Sequence, residues 1–138
     1  MSNSNVRNGV DILTGVFEWF NSLATPGTIV KREDVERLFT PDMKMVANNQ
    51  VKCAGLDAHY KHFSEIRNKL KSWHVRPFTI ALAEGDKVAA YYLIDFVAAD
   101  GSSGVIHDMA FWTVRDGKVA SMTELVHFEG KEVALENH

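Results

Sequence analysis

Apolar residues near the start of the chain recur at helical spacing: Val10, Leu13, Phe17 and Phe20 fall on one stripe, which Ile12, Val16 and Trp19 broaden. The spacing predicts one long, heavily buried helix behind a Ser/Asn-rich start that is expected to fray. Thr25-Pro26-Gly27 interrupts the pattern. Arg32 to Phe39 then predicts a short second helix, which must stop before Pro41 because a residue ahead of proline disfavours helical geometry. Met43 to Asn49 alternates weakly and predicts a short strand, with a polar turn running on to Gly55. From Leu56, the residues His59, Phe63, Ile66 and Leu70 resume helical spacing, while Lys61, Glu65, Asn68 and Lys69 take the opposite side of a third helix.

Beyond the third helix the pattern changes to long runs of β-branched and aromatic residues, Val75 to Ala83, Val88 to Val97, Val105 to Val114 and Val119 to Phe128. Turn signals separate them: Glu84-Gly85-Asp86, Asp100-Gly101-Ser102-Ser103-Gly104 and Arg115-Asp116-Gly117. Four long strands in an antiparallel meander follow from this. Helices first and strands afterwards is the order of an α+β domain, with helices gathered on one face of a bent sheet. The 138 residues suit a single domain, with an ordered core from about residue 8 to residue 129.

Composition narrows the partners. The 18 acidic residues outnumber the 15 basic ones, which are scattered, so the chain lacks the basic footprint of a nucleic-acid-binding protein. No run of apolar residues reaches the length of a membrane span, and the polar N-terminus lacks a signal-peptide pattern. Cys53 is alone, which rules out an intramolecular disulfide and fits a reducing, cytoplasmic setting. His59 and His62 stand three apart on the third helix with no further ligand in reach of a motif, so neither a metal nor any other cofactor is expected.

Three local patterns carry a resemblance. Pro41-Asp42 leads into the first strand, Gly55-Leu56-Asp57-Ala58 opens the third helix, and Val114-Arg115-Asp116-Gly117-Lys118-Val119 forms the hairpin before the last strand. Together with the order of elements, over roughly Val10 to Phe128, they resemble the nuclear transport factor 2-like superfamily and its SnoaL-like and ketosteroid isomerase-like members. The resemblance implies a cone-shaped, mostly antiparallel curved sheet of cystatin-like topology, with three helices from the N-terminal half on its concave face. It also implies a pocket for a small apolar molecule between helices and sheet, and a homodimer.

Measured against the enzymes of that superfamily, the chain departs in places. The position of the isomerase base falls on Ala47, followed by Asn48 and Asn49, and an amide cannot take a proton from carbon near neutral pH. The isomerase's second acid lies in a stretch similar to Ile106-His107-Asp108-Met109-Ala110-Phe111, where alignment brings His107 or Met109 to its place; either choice puts His107, Met109 and Phe111 on the pocket face. Where limonene epoxide hydrolase carries Arg-x-Asp, this chain has Tyr92-Leu93-Ile94, so that triad is missing. SnoaL-type cyclases carry a carboxylate on the last strand, and the matching residue here is Glu124.

Glu124 is flanked by Met122, Val126 and Phe128 on its own strand face, where an ionised carboxylate is costly to bury without a partner. It is therefore the first candidate for acid/base chemistry, against the alternative of a strand-end carboxylate in a wet mouth or at a dimer contact. His107 and Tyr92 are candidates to donate or accept hydrogen bonds beside it, against a backbone-tied histidine and a packed tyrosine. The expected pocket wall comprises Phe17, Met45, Ala47, His59, Phe63, Met109, Phe111, Met122 and Val126. The expected function is binding of an apolar carbonyl compound, with isomerase, cyclase or hydratase chemistry. The alternative is a non-catalytic ligand-binding or protein-interaction module of the same fold.

Overall fold

The structure, a computed structural model, describes residues 8–130; the start expected to fray lies outside the described residues. Helix α1, Gly9–Ser22, begins at Asn8, whose side chain accepts a hydrogen bond from the Asp11 backbone N–H at 3.1 Å and so satisfies one of the helix's orphan donors. It buries Ile12, Leu13 and Val16, and Gly9 brings its backbone against Val88 of the sheet, where a Cβ would lie 2.3 Å from a valine methyl. Helix α2, Arg32–Leu38, buries Val35. It gives way at Phe39 to strand β1, Phe39–Ala47, so Pro41 sits inside a strand rather than ahead of one. Proline has no N–H for a ladder. It is accommodated because no residue of β1 between Phe39 and Lys44 has a ladder partner on either side.

Strand β2, Gln50–Ala54, occupies what the sequence reading took for a turn. Asn48 and Asn49 both adopt positive φ, 48° and 67°, and close a two-residue hairpin in which Ala47 faces Gln50. Asparagine tolerates that geometry better than other side chains, which makes Asn-Asn the turn signal. Helix α3, Leu56–Lys69, follows Gly55, whose φ of 88° lets its N–H reach Met43 O at 2.8 Å. The expected long strand from Val75 to Ala83 is instead two, β3 at Leu70–Val75 and β4 at Ile80–Glu84, divided around Pro77. Strands β5 (Lys87–Ala98), β6 (Ser103–Arg115) and β7 (Lys118–Gly130) match the predicted meander with slightly longer ends.

Among the described residues, seven strands form one open sheet ordered β2-β1-β7-β6-β5-β3, with β4 also paired to β5; of these pairs β1 and β7 alone run parallel. The class is α+β, with three helices and a mostly antiparallel sheet as expected. Phe17 of α1 packs on Tyr92 and Trp112 of the sheet at ring separations of 4.9 and 5.5 Å, and Phe63 of α3 packs on Phe39 at 5.6 Å. These contacts fix which sheet face is inward. Arg67 ties the layers together, bonding the carbonyls of Leu23 and Leu70 and lying 4.8 Å above the Trp73 ring.

Candidate active site

Strand register decides which side chains meet on the inner face. Along β6, Ile106, Asp108, Ala110 and Trp112 are buried while Met109 and Phe111 are 61% and 69% exposed. Tyr92 on β5 stands opposite Asp108, and on the other side Ala110 stands opposite Glu124 of β7, which in turn faces Ala47 of β1. Asp108 and Glu124 are thus diagonal neighbours on one face, a spacing that longer side chains bridge. Tyr92, Asp108 and Glu124 descend diagonally over three adjacent strands.

The Tyr92 hydroxyl donates to Asp108 Oδ2 at 3.0 Å, and both residues are almost wholly buried. The Asp108 carboxyl also interacts with that of Glu124, its diagonal neighbour on the ladder. Apart from that carboxyl, no donor among the described residues reaches Asp108 Oδ1. Two carboxylates cannot bond each other; the contact exists only if one of them carries a proton. Burial pushes Glu124 well above the usual carboxylate range, the negative charge of Asp108 pushes it further, and Lys52 pulls it partly back. Burial also raises Asp108, while bonds from Glu124 and Tyr92 oppose the rise. The proton therefore resides chiefly on Glu124, with Asp108 as the accepting carboxylate. Burial holds the Tyr92 hydroxyl well above its ordinary pKa, so it stays a donor.

The three residues open onto a cavity of about 160 Å³. Of the expected wall, Phe17, Met45, Ala47, Phe63, Met122 and Val126 line it, together with Trp112, Asn48 and Lys52. Asn48 holds the rim by a two-way clasp of its amide to the Val126 backbone, at 2.9 and 3.4 Å. Lys52 occupies the extra position of a bulge in β2, between Val51 and Cys53, which pair with consecutive residues of β1. The thiol of Cys53, pushed up to about 12 by burial and by Glu124, stays protonated and is no nucleophile.

Four expected site residues lie elsewhere. His107, Met109 and Phe111 point outward, because the residue that faces Glu124 across the ladder is Ala110, and alternation sends the odd-numbered residues of β6 to the other side. His107 bonds Tyr91 Oη at 3.1 Å and Glu129 Oε2 at 3.2 Å on that outer face. His59 is fully buried behind the cavity wall, its Nδ1 2.8 Å from Gly55 O and its ring stacked on Phe39; burial lowers its pKa, so it is neutral. Asp108 escaped the sequence reading, although Ile106 and Ala110 at i±2 give it the same apolar flanks that singled out Glu124. Among the described residues no cluster of three or more His, Cys, Asp or Glu side chains is placed to hold a metal. None of the described helices is long and apolar enough to cross a membrane.

A family model for the SnoaL-like domain matches residues 17–122. Solved structures give the same fold. A nuclear transport factor 2-like protein from Anabaena variabilis ATCC 29413 superposes with a TM-score of 0.73 at 14% identity, over 95% of this chain and 96% of that one. A nuclear transport factor 2-like protein of unknown function from Exiguobacterium sp. 255-15 gives 0.70 at 18% identity, over 84% and 98%. A putative SnoaL-like polyketide cyclase from Jannaschia sp. CCS1 gives 0.67 at 17% identity, over 85% and 83%. Comparison with curated protein sequences gives no match. At these identities the likeness to solved structures concerns the fold.

Proposed function

The chain belongs to the SnoaL-like domain family, and on that premise we propose that its cavity binds a small apolar carbonyl compound and moves protons on it, as an isomerase, cyclase or hydratase. The observation that carries this reading is the close approach of two carboxyls on the inner face, Asp108 buried and Glu124 partly buried, an approach that favours one proton between them. Such a pair holds an acid and a base together. The protonated carboxyl of Glu124 gives its proton to the carbonyl oxygen of the ligand. The Asp108 carboxylate takes one from the adjacent carbon, and an enol forms with no net change of charge. Tyr92 keeps Asp108 aimed and ionised through its hydrogen bond. Returning the protons to other positions shifts a double bond or completes a ring closure. On this reading the base, Asp108, belongs to β6 and the acid, Glu124, to β7, whereas the isomerases carry their base at the place of Ala47.

The test is exchange of the protons beside a carbonyl. One- and two-ring ketones such as β-tetralone, incubated in deuterium oxide, should take up deuterium faster with the protein than in buffer, and the excess should vanish in both Glu124→Gln and Asp108→Asn. Exchange at the buffer rate for the whole set, with bound ketone verified, contradicts the reading.

We further propose that a second copy of the chain covers the outer sheet face. Tyr91, Met109 and Leu125 form one row across β5, β6 and β7, with Phe111 in the next. Three large apolar side chains exposed by more than half, in one patch on the outer sheet face, fit a self-complementary contact. His107 and the Arg76–Asp95 ion pair supply its polar rim.

A further inference from the structure

The acid pair leaves Lys52 unexplained. Among the described residues it is the one lysine or arginine that lines the cavity, and it is partly buried there. The bulge in β2 builds its place. Val51 stands opposite Val46 and is 58% exposed, so alternation turns the next residue inward. The bulge then fits both Lys52 and Cys53 beside Met45, where a regular ladder would fit one residue. An ammonium group brought against an apolar wall gives up part of its hydration, and a partner has to replace it. The protein supplies little. Lys52 Nζ has the Gln50 Oε1 amide oxygen at 3.4 Å, long for a hydrogen bond, and enters no ion pair among the described residues.

The charges on the same wall define the missing partner. The other titratable side chains that line the cavity are His62, Tyr92, Asp108 and Glu124. The charge of Lys52 reaches Glu124 and draws its pKa down, but Glu124 holds the shared proton and offers no full charge to pair with. A single cation beside an apolar cavity fits a ligand with a single negative charge. A phosphate, with nearly two charges and three acceptor oxygens, asks for more donors than one lysine supplies. A carboxylate does not. Position fixes the sense in which such a ligand enters: Lys52 belongs to the edge strand β2, whereas Asp108 is 3% exposed on the interior strand β6 and repels a second anion from its end of the cavity.

We propose that Lys52 binds a carboxylate of the substrate, and that the substrate of this cavity is a small keto acid, an apolar body with a carbonyl at one end and a carboxylate at the other. The carbonyl meets the Asp108–Glu124 pair and the carboxylate meets Lys52 at the sheet edge. This rests on the reading of the cavity as a carbonyl-binding site. Lys52 selects the substrate and its orientation and takes no part in proton transfer. Its flexible four-carbon stem follows the carboxylate, so the spacing of the two groups on the ligand is not narrowly prescribed.

Calorimetric titration at pH 7 with 3- and 4-acetylbenzoate and with the two corresponding amides tests this, because each acid differs from its amide by a charge and scarcely in shape. The wild type should bind the better acid about tenfold more tightly than its amide, the worth of one charge-assisted hydrogen bond. That preference should shrink as salt is raised, a readout that needs no variant. Lys52→Met should bind acid and amide alike, and Lys52→Arg should restore the preference. Equal binding of acid and amide by the wild type, a preference unmoved by salt, or one that persists in Lys52→Met would overturn the anchor. The carbonyl site would then stand, with Lys52 no more than a countercharge to the acid pair. Failure of the wild type to bind any of the four probes would overturn both.

Discussion

Removing the Tyr92 hydroxyl tests the ionic state of Asp108 through stability alone, with no ligand needed. In Tyr92→Phe the ring stays where Phe17 and Phe78 hold it, at 4.9 and 5.6 Å, and only the donor to Asp108 Oδ2 is lost. A hydrogen bond to a charged acceptor is worth about 1.5–3 kcal/mol and one to a neutral acceptor about 0.5–1.5. Tyr92 and Asp108 are 1% and 3% exposed, so water cannot replace the lost donor. The expected loss at neutral pH is therefore about 2 kcal/mol. For a chain of 138 residues that corresponds to a fall in Tm of roughly 6–10 °C. Urea unfolding of both proteins, with unchanged m-values, measures it. As the pH falls through the raised pKa of Asp108, its carboxylate takes up a proton and the difference between the proteins should shrink to about 1 kcal/mol. A loss below about 0.5 kcal/mol at neutral pH, or one that is the same at every pH, would refute the picture of an ionised Asp108 fed by Tyr92.

Glu124→Gln keeps a donor towards Asp108 but cannot titrate. The folded wild type holds its proton to higher pH than the unfolded chain, whose glutamates ionise near about 4.3. The wild type should therefore lose stability relative to the variant as pH rises from there through the raised pKa, by at most about 1.4 kcal/mol per pH unit; parallel pH profiles in urea unfolding would contradict this. Phe111→Glu, on the outer face, should turn a dimer into a monomer in sedimentation at micromolar concentration while the cavity stays intact. A wild type that is already monomeric defeats that proposal. Gly9→Ala should destabilise by about 1–3 kcal/mol despite a gain of up to about 1 kcal/mol in helix propensity, because the added methyl meets the stiff, buried Val88. Unchanged or increased stability would mean that α1 does not approach β5 as described.

Periodicity located α1, α3 and the β5-β6-β7 meander, since each has a long apolar stripe or run that only one element type accommodates; the short, charged α2 follows from the breaks at Pro26-Gly27 and Pro41. It failed where proline and asparagine act through geometry. Pro41 reads in sequence as a stop ahead of a strand, whereas the register gap in β1 lets it sit within one, and Pro77 divides an apolar run that is otherwise continuous. The Asn48-Asn49 turn hides β2 because neither residue is glycine. The site suffered from a different ambiguity. Strand β6 is apolar on both faces, Met109 and Phe111 outside and Ile106 and Trp112 inside, so composition could not say which set met Glu124. Pairing of Ala110 with Glu124 settles it, and with it the exchange of His107 for Asp108 as the partner. A parity argument from Tyr92 and Glu124 together, both polar residues on apolar faces, is the signal that would have found Asp108.

The claim at the centre is that Asp108 and Glu124 hold one proton between them near neutral pH, and infrared absorption of protonated carboxyl groups tests it most directly. Exposed carboxyls are fully ionised at pH 7 and do not absorb in that region. The wild type should show a protonated-carboxyl band at pH 7 that fades only at higher pH, and Glu124→Gln should lack it. A wild type with no such band at pH 7 would mean that both carboxyls ionise in the ordinary range, and the acid/base pair would not exist.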